Sequence, residues 1–454
     1  MKIFFALLTM LCVFKPSTGL AALNQAPPSF PHLDGNAVYV DFITANYQLT
    51  YDATNKKVDV DTVIRFSSVE QGYPIFDLVA QPTAVTLNGK EITSVGVMDP
   101  DLQSMVRVLQ EKVTPGIHEL RIKHVLSTNV IFDTGVYSAF WMSDLNDRRY
   151  LEQYLPTNLE FDQYRMHLLV RVTGVNNLAH VIKANGKVRK IAENYYEIQF
   201  PDFYTASAVY FHLFPLENSA TNVQFYYPSK DGRLIPVDIY TTYNIQEFVD
   251  ATKTILQELE ADYGPFPHDQ LVIYGNAPSG GMEHSGATAT SLKALGHELF
   301  HSYHARALIP ANGNAGWMDE AIARWRDNKY PLTEKLSFES TQLGGHSVWS
   351  RKTDRMSYNE GSAFLSWIAF RMDEKGLSFK TFLKDYFQKY KYTTVTSQLF
   401  QKELAAASSL ELDADFNRYI YNKSSKKGFH RVNEVENPYH PQLTQEQLLD
   451  MTKL

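Results

Sequence analysis

The residues best placed to do chemistry are His297-Glu298-Leu299-Phe300-His301. On a helix, positions four apart lie about 40° apart around the axis and one turn along, so both imidazoles can point at one ion. A zinc ion used in catalysis takes three protein ligands and leaves a fourth position for water. Glu320 is the candidate for the third ligand. It follows His301 after eighteen intervening residues, in the stretch Trp317 to Trp325, which reads as a second helix after the breaker-rich Pro310 to Gly316. An antiparallel helix would return that carboxylate to the first. Two neutral imidazoles and one carboxylate would leave a zinc centre with a net charge of about +1, enough to bring a bound water toward a pKa of ~7. Glu298 would then take the water's proton and pass it to a leaving group. His304, three residues past His301, is an alternative nitrogen ligand; the carboxylate is preferred, with packing or support of a ligand as the role expected of His304.

These side chains need elements to hold them. Leu292, Leu295 and Leu299 are expected to anchor the histidine helix from its opposite side. Upstream, Ile245 to Tyr263 has helical apolar spacing, Asn244 with Glu247 forms a plausible capping box, and Gly264-Pro265 stops the helix. A strand at Leu271 to Tyr274 leads into the Gly-rich Gly275 to Gly286, which lacks the Gly-Lys-Ser/Thr of a phosphate loop. From Leu292 to Tyr421 the chain reads as helical with loops. The first half is different. Val58, Val60, Ile64 and Phe66 share one parity, as do Leu168, Val170 and Val172, and Asn88-Gly89 and Asn185-Gly186 mark turns, so antiparallel strands are expected up to about Pro215. The fold class is therefore α+β: an N-terminal β-sandwich domain over residues 37–215, then a mostly α-helical catalytic domain over 216–433 and a tail over 434–454.

Composition narrows the function classes. The 454 residues include 43 basic and 50 acidic ones, a net charge of -7, so nucleic acid is not an expected partner. Lys2, the apolar run Ile3 to Phe14 and the small residues around Gly19-Leu20-Ala21 have the form of a signal peptide over residues 1–21, followed by a polar, Pro-rich linker over 22–36. The run is too short to span a bilayer, and no stable membrane insertion is expected. Export to the periplasm or the medium is the expectation. The lone Cys12 lies inside that run, so the mature chain would have no disulfides. The sequon Asn422-Lys423-Ser424 carries no weight by itself.

Gly280-Gly281-Met282-Glu283-His284, with Glu283 fourteen residues before His297, completes a recognisable set. Together with the helix pair it resembles the gluzincin zinc aminopeptidases: the alanyl aminopeptidase and leukotriene A4 hydrolase family, which carries Gly-Ala-Met-Glu-Asn, and the glycyl aminopeptidase family, whose motif ends in Glu-His. The resemblance implies a saddle-like N-terminal domain, a thermolysin-like catalytic domain, peptide substrates and one zinc ion (Zn2+) per chain held by His297, His301 and Glu320. It implies that Glu298 is the general base, that the strand of Gly280, Gly281, Met282, Glu283 and His284 binds substrate, and that Glu283 meets the substrate's ammonium. It also implies that Tyr358, in Tyr358-Asn359-Glu360-Gly361, stabilises the oxyanion, and that Gln153 lies on the substrate side, with Leu155 where the larger family has a second polar group. The larger family's C-terminal helical domain and the PDZ-like segment of the glycyl enzymes have no counterpart here, so a more open cleft is expected. That leaves an exported endopeptidase as an alternative, and a catalytically silent peptide-binding protein as another.

Overall fold

The computed structural model describes residues 25–102, 104–143, 150–217, 220–276, 280–311, 313–423 and 445–453. The signal segment with Cys12, the first residues of the linker, Ser424 of the sequon and residues 434–444 of the tail lie outside the described residues.

In the first half, two-residue periodicity becomes sheet. β1 (Asp41–Asp52) and β2 (Lys57–Ser68) pair antiparallel, with Leu49 opposite Val60 and Tyr51 opposite Val58. Val58, Val60, Ile64 and Phe66 are buried while Lys57, Asp59 and Arg65 are exposed, as a sheet with one dry face requires. β3 (Gly116–Leu126) extends the pair antiparallel from β2, and β4 (Arg165–Thr173) runs parallel to β1. These belong to an eight-stranded sheet, whose inner face shares a core with a four-stranded sheet through Val136, Ile182, Phe211 and Leu213. Two sheets closing on one core make the sandwich. A five-stranded sheet built from strands between Phe30 and Leu109 sits beside them.

The two turn signals have different outcomes. Asn88 and Gly89, at φ of 51° and 79°, close a hairpin between Ala84–Leu87 and Lys90–Ile92. Asn185-Gly186 joins no hairpin, because His180–Ala184 belongs to the four-stranded sheet and Lys187–Ala192 to the eight-stranded one. The reason is the buried Asn185 side chain, which donates to the carbonyls of Ala208 (2.6 Å) and Ser285 (2.8 Å) and accepts from the Tyr210 amide (2.8 Å).

In the second half, β5 (Thr221–Pro228), β6 (Leu234–Thr241), β7 (Leu271–Gly275), β8 (Gly281–His284) and β9 (Ala287–Thr290) form one sheet in the order β5-β6-β7-β9-β8. β6, β7 and β9 are parallel; β8 lies antiparallel to β9 at the edge. Helix α1 (Ile245–Tyr263) starts where Asn244 accepts from the Gln246 amide and ends at Gly264, whose φ of 104° suits glycine. The histidine helix is short, α2 (Leu295–His301). Leu292 lies outside it at the protein surface, so only Leu295 and Leu299 anchor it, with Phe300. Then come α3 (Gly313–Asp327), α4 (Ser362–Asp373), α5 (Phe379–Tyr390), α6 (Ser397–Ser408) and α7 (Asp413–Tyr419) around a core centred on Trp317, Phe364 and Phe400. Residues 328–355 form neither helix nor strand.

The end of the tail is not a surface appendage. In α8 (Gln445–Thr452), Thr452 is buried; its hydroxyl accepts from the Trp141 indole (2.9 Å) and its carbonyl from the His212 ring (3.2 Å).

Candidate metal centre

α2 rests on the sheet edge, with Leu295, Leu299 and Phe300 in the core, which turns His297 and His301 toward Glu320 of α3 and Glu298 toward β8. All three are buried, as is Glu320. The His297 and His301 Nε2 atoms are 3.1 Å apart, and Glu320 Oε2 lies 3.3 Å from the first and 3.5 Å from the second. Tetrahedral bonds of about 2.05 Å place ligand atoms about 3.3 Å from one another, so this triangle has the size of one face of a zinc tetrahedron.

The backs of both rings are tied. His297 Nδ1 meets Asp327 Oδ2 at 2.7 Å, and His301 Nδ1 meets the His304 carbonyl at 3.3 Å. With the Nδ1 protons donated to these acceptors, both Nε2 lone pairs face Glu320; the tautomers are assigned from these partners. Two lone pairs and a carboxylate oxygen in a dry interior repel one another unless a cation lies among them. Ring protonation shows the same demand. Burial opposes the imidazolium at His297, but Asp327 and Glu320 outweigh it and push its pKa up to about 10. Burial likewise opposes it at His301, where the charges of Glu320 and Glu283 prevail, again to about 10. Glu298 is raised well above the usual carboxylate range, first by burial and then by the charge of Glu283. The donor set fits a divalent ion.

β8 forms the neighbouring wall, and its alternation sorts the motif. Gly281 faces α2 so closely that a Cβ there would lie 2.6 Å from the Glu298 Cγ, Cδ and Oε1. Glu283 shares that face, with a carboxylate oxygen within 4.8 Å of a His301 ring nitrogen, and its Oε1 accepts from Arg306 Nη2 at 2.5 Å. Gly280, at φ of 85°, accepts from the Ser291 amide through its carbonyl. Met282 and His284 are on the other face. Met282 packs against the sandwich core, and His284 Nδ1 lies 2.9 Å from the Val209 carbonyl, its pKa pushed down to about 3 by burial. Neither side chain is turned to the centre, so their expected part in substrate binding is left to the backbone.

No family model matches the chain, and neither does any curated protein. Solved structures do. A mutant M1 zinc metallopeptidase from Deinococcus radiodurans bound to a Tyr-Ser-Ala substrate matches with a TM-score of 0.61 at 15% identity, over 86% of this chain and 95% of that one. Yeast leukotriene A4 hydrolase in complex with bestatin matches with a TM-score of 0.63 at 14% identity, over 91% of this chain and 73% of that one. This chain has the fold of the two-domain M1 zinc metallopeptidases.

Within this M1 fold the remaining expected residues find their places. Tyr358 lies in a wide π-helical turn, Ser357–Gly361, with its ring 6.2 Å from that of His297 and 20° from parallel. His304 belongs to no ligand group among the described residues. Its ring is stacked on Phe300 (5.1 Å, 6°) between Tyr263 and Phe387, and burial pushes its pKa down to about 3. The Gln153 amide nitrogen lies 3.4 Å from the Trp141 carbonyl and 3.5 Å from that of Tyr150, and Leu155 is core. Asp327 was missed from the sequence. It stands seven residues after Glu320 on α3, two turns along the same face, and that interval was the available signal.

Proposed function

We propose that this M1-fold chain is a zinc-dependent aminopeptidase that removes N-terminal residues from peptides. The observation that carries the reading is the buried triangle of His297 Nε2, His301 Nε2 and Glu320 Oε2, with edges of 3.1, 3.3 and 3.5 Å. The ion held there would supply a polarised carbonyl and a water acidic enough to attack it near neutral pH. The chain does the rest. Glu298 Oε1 and Oε2, in a dry pocket that strengthens them as bases, accept the proton of the attacking water and return it to the departing amine. Tyr358, beside His297, is the donor for the oxyanion. β8 is paired with β9 on one side only among the described residues, so an extended peptide can add along its other edge, where Glu283 meets the ammonium.

Export is part of the same proposal. It rests on the apolar run Ile3 to Phe14, and no helix among the described residues is long and apolar enough to cross a membrane. The test is metal analysis of the purified protein, followed by turnover of aminoacyl and N-blocked fluorogenic substrates. About one zinc per chain is expected, and Glu298→Gln should keep the metal while turnover falls by about 10²-fold to 10⁴-fold. Full turnover by that variant, or cleavage of blocked peptides alone, would sink the reading.

A further inference from the structure

Arg306 occupies an unexpected position. Its Nη2 lies 2.5 Å from Glu283 Oε1, with the two side chains only 6% and 2% exposed. Glu283 is the carboxylate on the same face of β8 as Gly281, within 4.8 Å of a His301 ring nitrogen, where the aminopeptidase reading puts the substrate's ammonium. An arginine bonded to an ammonium receptor opposes the receptor's charge.

The placement is built into the backbone. The Arg306 amide donates to the carbonyl of the metal-site residue His301 at 3.0 Å, and the Ser285 hydroxyl, one residue past β8, donates to the Arg306 carbonyl at 3.3 Å. Between helix and arginine, the buried Ala305 has a φ of 134°, in the region that suits glycine. Such backbone persists where surrounding structure enforces it and clusters at functional sites. Arg306 is thereby tethered to both walls of the pocket. Buried ion pairs are weak contributors to stability compared with apolar packing, so fold stability alone does not account for one here.

We propose that Arg306 sets how strongly this site selects a free amino terminus: by neutralising part of Glu283 it holds the amine pocket one positive charge above what the carboxylates alone would give. The proposal rests on the aminopeptidase reading. Arg306 acts through Glu283, to which it is bonded, so it is a positioning and specificity-determining residue. It makes binding of the ammonium weaker than an unpaired carboxylate would, which favours release of a free amino acid whose amine would otherwise be held in a dry anionic pocket.

The test uses the full chain with Arg306→Gln, Arg306→Lys and Glu283→Gln. Two quantities are read: the kcat/KM ratio of a free to an N-acetylated peptide substrate, and the calorimetric affinity of the metal-free protein for alanine amide against N-acetylalanine amide. With Arg306→Gln the ratio should rise at least about fivefold, through KM, and alanine amide should bind at least about fivefold tighter. Arg306→Lys, which keeps the charge, should hold the native values. If Arg306→Gln does not fold, Glu283→Gln still decides: with the arginine now unopposed, the free amine should be disfavoured relative to the acetylated one, where a bystander arginine would leave the two equal. A ratio that collapses in Arg306→Gln, or an alanine amide affinity that does not move, overturns the proposal. Equal cleavage of free and blocked peptides by the native enzyme overturns the aminopeptidase reading and the proposal with it.

Discussion

Asp327 offers a test of how the centre is built, because it touches no metal yet orients a ligand. Its Oδ2 is 2.7 Å from His297 Nδ1, with the two side chains 8% and 0% exposed, so the bond is charge-assisted and little screened by water. Replacing a carboxylate behind a ligating histidine costs about 10-fold to 100-fold in metal affinity, or roughly 1.4 to 2.7 kcal/mol. Asp327→Asn keeps an oxygen able to accept from Nδ1 and loses only the charge, so about tenfold is expected; Asp327→Ala loses both, so about 100-fold is expected. Arg326, which pairs with Asp327 Oδ1 at 3.2 Å, retains Glu258 and the Gly296 carbonyl in either variant, and the helix contacts should survive. Competition against a chromophoric chelator gives the zinc affinity, and thermal melting of the metal-free protein reports the fold. Proton release gives a second readout. Asp327 and Glu320 push His297 up to about 10 against the effect of burial, so zinc displaces a proton below that pH; Asp327→Asn lowers that pKa, and the protons released per zinc should start to fall at a lower pH than in the native protein. An affinity within twofold of native in both variants, with proton release unchanged, would refute the assigned role.

Gly281→Ala puts a methyl group 2.6 Å from the Glu298 carboxyl, so the side chain of the proposed base must swing away; zinc should stay bound while kcat falls about 10-fold to 100-fold, and native kcat would show that the contact is slack. Tyr358→Phe should lower kcat by about 10²-fold to 10³-fold with KM little altered, whereas a change confined to KM would make the hydroxyl a binding group only. Asp162, far from this chemistry, governs a pH effect: burial and the charge of Asp41 raise its pKa to about 8, so the folded carboxyl stays protonated while the unfolded one ionises near 4. Stability is then fully present below about pH 4 and is lost as pH rises toward 8, and Asp162→Asn should melt a few degrees higher than native at pH 8 to 9 and show a flatter profile; parallel melting curves from pH 4 to 9 would contradict this.

Local order was readable from the residues alone. The His297 and His301 pair follows from the geometry of one helical turn, α1 from its apolar spacing between Asn244 and Gly264, and the strands of the first half from two-residue alternation. The interval from His301 to Glu320 worked because it asks only for two helices and a return. Alternation within β8 could also have shown that Gly281 and Glu283 share one face while Met282 and His284 share the other, but not which face meets α2.

Contacts between elements were a different matter. Asp327 on His297, Arg306 on Glu283, the Asn185 crossover and Thr452 under Trp141 join residues 23 to 311 positions apart. No periodicity records such distances. His304 illustrates the limit: its spacing made it a possible ligand, and only the packing of Phe300, Tyr263 and Phe387 around its ring made it core. Gln153 resembles a substrate residue by its motif, and only the tertiary structure shows its amide turned to the carbonyls of Trp141 and Tyr150. The sequence by itself determined which residue types could hold an ion and which side chains of an element share a face, because helix and strand geometry are properties of a few neighbouring residues. Tertiary structure decided which charges oppose one another inside the centre, because burial and pairing depend on distant elements meeting in a space from which water is excluded.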